Sequence, residues 1–306
     1  MTDPLLVSVP GKTLRKAIGD IDGVEFVEWD FSGPAPRSEF DIVITPYMGA
    51  TDKLGVLAGV TTRLVQSQSI GYDGVDEVLP PGNVFANASS VHETSTAELT
   101  LALLLASQRG IPDFVRAAGD GRWAPARYES LADRTVLLLG YGGVGKAIED
   151  RLAPFEVNLV RVATRARSDE RGQIHAINEL PELLPQADIV IVGVPLTADT
   201  TDLVDDQFLS SMPDGALLVN IARGAVANTD AILRHAESGR LRFALDVTDP
   251  EPLPEGHPLF ALPNVLISPH VGGATTAMMP RMARLARRQI ERMLRGDEPE
   301  NVVLRS

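Results

Sequence analysis

The sequence predicts an α/β protein built from two doubly wound, mostly parallel sheets, one inserted into the other. Three observations carry this expectation. Short apolar runs alternate with helix-compatible segments along most of the chain, the rhythm of a parallel sheet with helices on both faces. A glycine turn, Gly140-Tyr-Gly142-Gly143-Val144-Gly145, follows the apolar run 135–139 and opens a helical segment. In that strand-turn-helix context, G-x-G-x-x-G seats a dinucleotide pyrophosphate on a helix N-terminus. The block before the turn has strands of its own, and a tail follows the last strand of the second series. The simplest architecture is therefore two Rossmann-like domains. Residues 1–95 and 281–306 form a discontinuous substrate-binding domain, and residues 96–280 form the inserted dinucleotide-binding domain.

The elements follow in order. Leu5–Val9 and the runs 41–45 and 63–67 are apolar enough for buried parallel strands, with crossovers expected at 12–19 and 52–58. The stretch 95–110 is rich in Ala and Leu, carries Glu98 and ends at Gly110-Ile-Pro112, so it reads as a long buried helix. Strands are then expected at 135–139, 158–163, 188–193, 216–221, 241–246 and 264–268, the strand count of a full dinucleotide-binding sheet. Within the turn, Gly140 permits the tight bend, Gly142 lets phosphates approach the backbone, and Gly145 lets the helix pack close to its strand. Residues 274–295 return to helical periodicity, and 301–304 suggest a terminal strand or clip.

Composition narrows the function. A net charge of -13 disfavours a nucleic-acid partner, which calls for a basic face. With no cysteine there is no disulfide, no zinc-thiolate site and no thiol nucleophile, and no metal site is expected. The N-terminus lacks the pattern of a signal peptide, and apolar runs such as 99–106 are too short to span a membrane. A cytoplasmic enzyme without a membrane or nucleic-acid partner is expected.

Three strand ends carry candidate chemistry. The run 218–222 leads into Arg223 and Gly224, Leu245 into Asp246 and then a Pro-flanked Glu251, and the run 265–269 into His270. Ligands of open parallel sheets bind outside the carboxyl ends of the strands. A guanidinium fork clamps a carboxylate, and an imidazole titrates near neutrality. A carboxylate beside it orients the ring and favours its charged form. Hydride transfer to a 2-oxo acid needs these roles: a carboxylate holder, a proton donor and a group that orients the donor. Each residue alone has a plainer reading, as a surface Arg, a solvated acidic turn or a structural His.

Together these segments resemble the D-isomer-specific 2-hydroxyacid dehydrogenase family, which includes glyoxylate/hydroxypyruvate reductases and phosphoglycerate dehydrogenases. The resemblance covers nearly the whole chain and rests most on the Gly140 to Gly145 turn, residues 220–224, 246–252 and 268–272. It implies that Arg223 binds and polarises the substrate, that Glu251 pairs with His270, that His270 is the acid/base, and that Asp246 holds the nicotinamide carboxamide. The segment 69–76 resembles the family's substrate-carboxylate loop, which implies that Ser69, Ile70 and Gly71 meet the acid through backbone N–H groups. Val194, Pro195 and Thr200 resemble its cofactor-side loop. The family implies a homodimer with the helix at 95–110 in the interface. Glu251, where the formate dehydrogenase branch has Gln, and Ser69, where the phosphite dehydrogenase branch has Lys nearby, argue against those substrates. Thr248 stands where the family often has an aromatic residue.

Cofactor choice is read from the end of the second strand of the inserted domain. NAD enzymes place an acid there for the ribose 2′-OH. Here Thr164, Arg165 and Arg167 stand instead, with Asp169 and Glu170 after them. A hydroxyl and two guanidinium groups suit a 2′-phosphate, so NADP(H) is favoured, with NAD(H) the alternative. Tyr47 and Met48 hint at an apolar wall around the substrate. The expected function is interconversion of a small, glyoxylate- or hydroxypyruvate-like 2-oxo acid and its D-2-hydroxy acid. The alternatives are a dinucleotide-sensing, corepressor-like binding protein on the same fold and a phosphoglycerate dehydrogenase-like member.

Overall fold

The computed structural model describes residues 3–306, which divide into two compact units, 3–92 with 275–306 and 93–274. Both are α/β, as the alternating pattern requires.

The first unit starts with β1 (Leu5–Val9), α1 (Lys12–Ile18), β2 (Val24–Glu28), β3 (Glu39–Ile44), β4 (Thr61–Gln66), α2 (Val75–Val78) and β5 (Val84–Ala86). The crossover expected at 52–58 is a 3₁₀ helix, Thr51–Leu57, with Gly55 inside it. The carboxyl ends of β1, β3 and β4 are fully buried, which explains why these strands announce themselves as apolar runs. β2 and β5 were not foreseen. β2 is half-exposed along its length, and β5 is only three residues long.

The second unit carries α3 (Glu93–Gln108), α4 (Ile111–Gly119), β6 (Thr135–Leu139), α5 (Gly143–Leu152), β7 (Asn158–Ala163), β8 (Arg167–Asp169), β9 (Gly172–Ala176), α6 (Leu180–Leu183), β10 (Ile189–Val192), α7 (Asp206–Ser211), β11 (Leu217–Asn220), α8 (Thr229–Glu237), β12 (Arg242–Leu245) and β13 (Val265–Ile267). The chain then returns to the first unit with α9 (Met278–Leu294) and β14 (Val302–Arg305).

Among the described residues, the second unit's sheet has the order β13-β12-β11-β10-β6-β7-β9-β8. The run from β13 to β7 is parallel throughout and is the expected six-stranded set. It is extended by β9, parallel to β7, and by β8, antiparallel to β9. The sheet core is aliphatic: β10 and β11 are buried at every position. On one face Leu137, Leu139, Val190 and Leu218 pack with Phe208 and Ile232, and on the other Leu138, Ile191 and Val219 pack with Leu104 and Ile148. Burying each such side chain contributes about 1.5–3 kcal/mol. The first unit's sheet runs β14-β5-β4-β3-β1-β2, parallel except for β14, which pairs antiparallel with β5. No helix among the described residues is long and apolar enough to cross a membrane.

Candidate active site

The order β13-β12-β11 sets three parallel carboxyl ends side by side. Arg223 follows β11, Asp246 follows β12, and His270 follows β13. The topology thus brings to one sheet edge the residues that the sequence spreads over nearly fifty positions.

His270 lies in a sharp turn at φ 52°. Its amide N–H donates to the Asp246 carbonyl at 2.7 Å. Its Nδ1 faces Glu251 Oε1 at 2.5 Å, with both side chains partly open to solvent. Asp246 is 3% exposed, and its carboxylate is heavily used. Oδ1 accepts from the Ser268 hydroxyl at 2.6 Å and the Val271 amide at 2.9 Å, and Oδ2 accepts from the Gly272 amide at 3.0 Å. A buried carboxylate is tolerated when its lone pairs are filled in this way. Asp246 therefore holds both arms of the turn that carries His270. Sequence reading gave Asp246 a cofactor contact and missed this grip, although Ser268 stood within the quoted motif.

Arg223 has extended backbone, and its Nη1 donates to the Ala222 carbonyl at 2.7 Å. Asn220 braces the turn: its Oδ1 accepts from the Ala222 amide at 3.0 Å and its Nδ2 donates to the Arg223 carbonyl at 3.2 Å.

The glycine turn shows which glycines the fold needs for itself. A Cβ on Gly140, at φ 106°, would lie 2.5 Å from the Gly193 backbone, and one on Gly145 would lie 2.4 Å from the Gly140 carbonyl oxygen. These positions lock β6, β10 and α5 together. A Cβ on Gly142 would meet nothing within 4 Å. Gly142 is the residue that caps α5, whose first residues are Gly143 and Val144. Open space over a helix N-terminus is where a pyrophosphate fits, so the residues present suit a dinucleotide.

Past the end of β7, Thr164, Arg165 and, at the start of β8, Arg167 are exposed. Arg167 Nη2 donates to the Tyr141 carbonyl at 3.1 Å, which directs this guanidinium toward the glycine turn. Asp169 is drawn elsewhere: it accepts from the Arg171 amide at 2.9 Å and lies 3.5 Å from Arg161. Arg161, 9% exposed, also pairs with Glu149 at 3.5 Å. After β10, Val194 and Thr200 are 9% and 8% exposed. The Thr200 hydroxyl donates to the Pro195 carbonyl at 2.7 Å and accepts from the Thr197 amide at 2.8 Å, so it shapes the loop.

In the first unit, the loop after β4 carries Ser69, Ile70 and Gly71, all partly exposed. Asn87 Nδ2 donates to the Ile70 carbonyl at 2.8 Å, and His92 Nε2 meets the Gln68 carbonyl at 2.7 Å. The His92 ring stacks on Tyr47 at 5.7 Å between centroids. Neither Asn87 nor His92 was singled out from sequence, because their contacts join segments that no local pattern links.

Residues 101–272 match the family model described as D-isomer specific 2-hydroxyacid dehydrogenase, NAD binding domain. The chain is similar to human glyoxylate reductase/hydroxypyruvate reductase, with 32% identity over 304 residues and 92% of each chain covered. Among solved structures it is similar to a D-isomer specific 2-hydroxyacid dehydrogenase from Xanthobacter autotrophicus Py2 in complex with NADPH and MES. That match has 26% identity and a TM-score of 0.82, covering 99% of this chain and 98% of that one. It is also similar to an NADPH-dependent glyoxylate/hydroxypyruvate reductase from Sinorhizobium meliloti in complex with NADP and malonate. Here identity is 25% and the TM-score 0.80, covering 99% of this chain and 98% of that one. With a family model matched over more than half its length and a relative at 32% identity covered nearly end to end, the chain belongs to the D-isomer-specific 2-hydroxyacid dehydrogenases, which are NAD(P)-dependent oxidoreductases.

Proposed function

We propose that this enzyme reduces a small 2-oxo acid, of glyoxylate or hydroxypyruvate type, to its D-2-hydroxy acid with NADPH. The observation that carries the reading is the His270–Glu251 pair at the strand edge that also presents Arg223. The dinucleotide is assigned to Gly140, Gly142, Gly143, Val144 and Gly145, to the loop bearing Val194, Pro195 and Thr200, and to Thr164, Arg165 and Arg167. The open face of Gly142 supports the pyrophosphate position. The exposed arginines support NADPH over NADH, and the two solved relatives described above hold NADPH or NADP.

When bound, the reduced nicotinamide supplies a hydride to the substrate's carbonyl carbon. The chain's own groups do the rest. Arg223 holds the carboxylate and draws electron density toward the carbonyl oxygen. His270, with Nδ1 against Glu251, delivers the proton from Nε2 on the other edge of the ring to that oxygen. Glu251 fixes the ring's rotation and its tautomer. Asp246 keeps the turn beneath His270 in place, and one lone pair of Oδ2 remains for the nicotinamide carboxamide. The backbone amides of Ile70 and Gly71 are assigned to the substrate carboxylate, whereas that of Ser69, expected from sequence to join them, donates to Ser67 Oγ at 3.0 Å.

The enzyme is proposed to act as a homodimer. Ile111, Val115 and Trp123 are large apolar side chains at 47%, 66% and 95% exposure just after α3, which supports a buried interface there. Light scattering of the wild type and of Val115→Asp with Trp123→Ser tests it, and a monomeric wild type would end this part of the reading.

The test of function is turnover of glyoxylate, hydroxypyruvate and pyruvate with each cofactor, for the wild type and for His270→Asn. The variant should lose roughly 10²–10⁴-fold in kcat while NADPH binding stays within about twofold, as expected of a residue that leaves the cofactor uncontacted. Normal turnover by the variant would remove His270 as the acid. Binding of NADPH by a wild type that turns over no 2-oxo acid would favour a dinucleotide sensor.

A further inference from the structure

We propose that Asn87 and His92 are positioning residues for the substrate carboxylate, acting by fixing the peptide planes of the loop after β4. The inference rests on the function proposed above and adds the device that would make the loop an anion site.

Every carbonyl from Ser67 to Ile70 is taken from the protein side. The Ser67 carbonyl accepts from Gln66 Nε2 at 2.8 Å, and that of Gln68 meets His92 Nε2 at 2.7 Å. The Ser69 carbonyl accepts from the Ala88 amide at 2.9 Å, and that of Ile70 accepts from Asn87 Nδ2 at 2.8 Å. In a planar trans peptide the C=O and N–H point in opposite directions. Holding the Ser69 carbonyl against Ala88 therefore aims the Ile70 N–H away from that segment. Holding the Ile70 carbonyl against Asn87 aims the Gly71 N–H away as well. Successive backbone N–H groups turned to one side form a concavity that takes an anion.

The two side chains are themselves constrained. Asn87 is 6% exposed, its Oδ1 accepts from the Ser89 amide at 3.2 Å, and its backbone N–H donates to the Asn301 carbonyl at 3.0 Å. Only one orientation of its amide satisfies both side-chain contacts. His92 is 5% exposed, and its carbonyl neighbour requires the proton on Nε2. Its ring rests on Tyr47, so one imidazole ties the loop after β4 to the segment after β3. Neither residue reaches substrate in this scheme. Asn87 fixes the peptide that carries the Gly71 amide, and His92 acts one step upstream, on the peptide that carries the Ser69 amide, whose N–H donates to Ser67 Oγ at 3.0 Å and so anchors the chain leading into Ile70 and Gly71.

The experiment compares the wild type with Asn87→Ala, with His92→Phe, which keeps a ring against Tyr47, and with His92→Gln, which restores a donor near the Nε2 position. Three quantities are read: KM and kcat for glyoxylate with NADPH, the dissociation constant of oxalate from the NADPH-loaded protein by calorimetry, and that of NADPH alone by fluorescence. Asn87→Ala and His92→Phe should raise glyoxylate KM and the oxalate constant roughly tenfold or more, the scale of a lost charge-assisted contact. They should leave kcat within about threefold and the NADPH constant unchanged, and His92→Gln should recover most of the loss. Unchanged oxalate affinity in both variants, or loss of NADPH affinity alongside it, overturns the proposal. If the wild type reduces no 2-oxo acid, the functional reading falls by itself, and the oxalate titration still decides whether these residues shape an anion site.

Discussion

Gly224 lies against Thr248 so closely that a Cβ at 224 would fall 1.9 Å from the Thr248 carbonyl oxygen. The turn bearing Arg223 and the loop bearing Glu251 are thus packed backbone to backbone. The glycine after the arginine is there for contact with the next loop.

Gly224→Ala should therefore push the 248–251 segment outward and separate Glu251 from its place beside His270. Overpacking of this kind costs about 1–3 kcal/mol, and kcat should fall at least roughly tenfold if Glu251 orients the donor. Thermal unfolding and kcat for glyoxylate, measured together, check it. A variant with wild-type stability and kcat would show that the loop yields without consequence.

Asp246→Asn tests the grip on the His270 turn. The substitution sets an amide NH₂ against one of the two backbone N–H groups, those of Val271 and Gly272, that now donate to the two carboxylate oxygens. Leaving such buried groups unsatisfied costs about 1–3 kcal/mol. Loss of both stability and kcat is expected. Loss of NADPH affinity alone would make Asp246 a cofactor contact and little else.

Replacing Arg165 and Arg167 together with Ala should weaken NADPH at least roughly tenfold more than NADH, because each well-formed charge-assisted bond contributes about 1.5–3 kcal/mol before screening. Since both arginines are exposed, added salt should narrow the wild type's preference. Tighter binding of NADH than NADPH by the wild type would mean that these guanidinium groups face solvent.

The Tyr141 phenol is raised above its ordinary value, first by burial and then by its hydrogen bond to Glu149. A proton held more tightly in the folded chain contributes stability that is fully present below the unfolded phenol value of about 10. That contribution is lost as pH rises through the higher folded value. The unfolding temperature of the wild type should fall more steeply above pH ~10 than that of Tyr141→Phe. Parallel curves would show that the phenol does not couple to folding.

Legibility from sequence followed burial. β6 was delimited to the residue, because its apolar run stops at the Gly140 turn, and β7, only partly buried, was delimited to the residue as well. The hairpin of β8 and β9 was invisible: Arg167, Ser168 and Asp169 are polar and lie at the sheet's edge, where no apolar face is demanded. The strand-end residues Arg223, Asp246 and His270 could be picked out because topology guarantees that such ends converge. Asn87 and His92 could not, since their value lies in which carbonyls they meet across chain separations of 17 and 24 residues. Ser268 fell between these cases, present in a motif but without a visible partner until Asp246 was placed.

The antiparallel pairing of β14 with β5 orders events during synthesis. Unit 93–274 is continuous, so it can fold as soon as its last strand leaves the ribosome. The other unit cannot: its sheet lacks an edge until Val302–Arg305 arrives, and α1 lacks α9. Synthesis from the N-terminus therefore completes the continuous unit before the discontinuous one, whose first-made strands wait on α9 and β14.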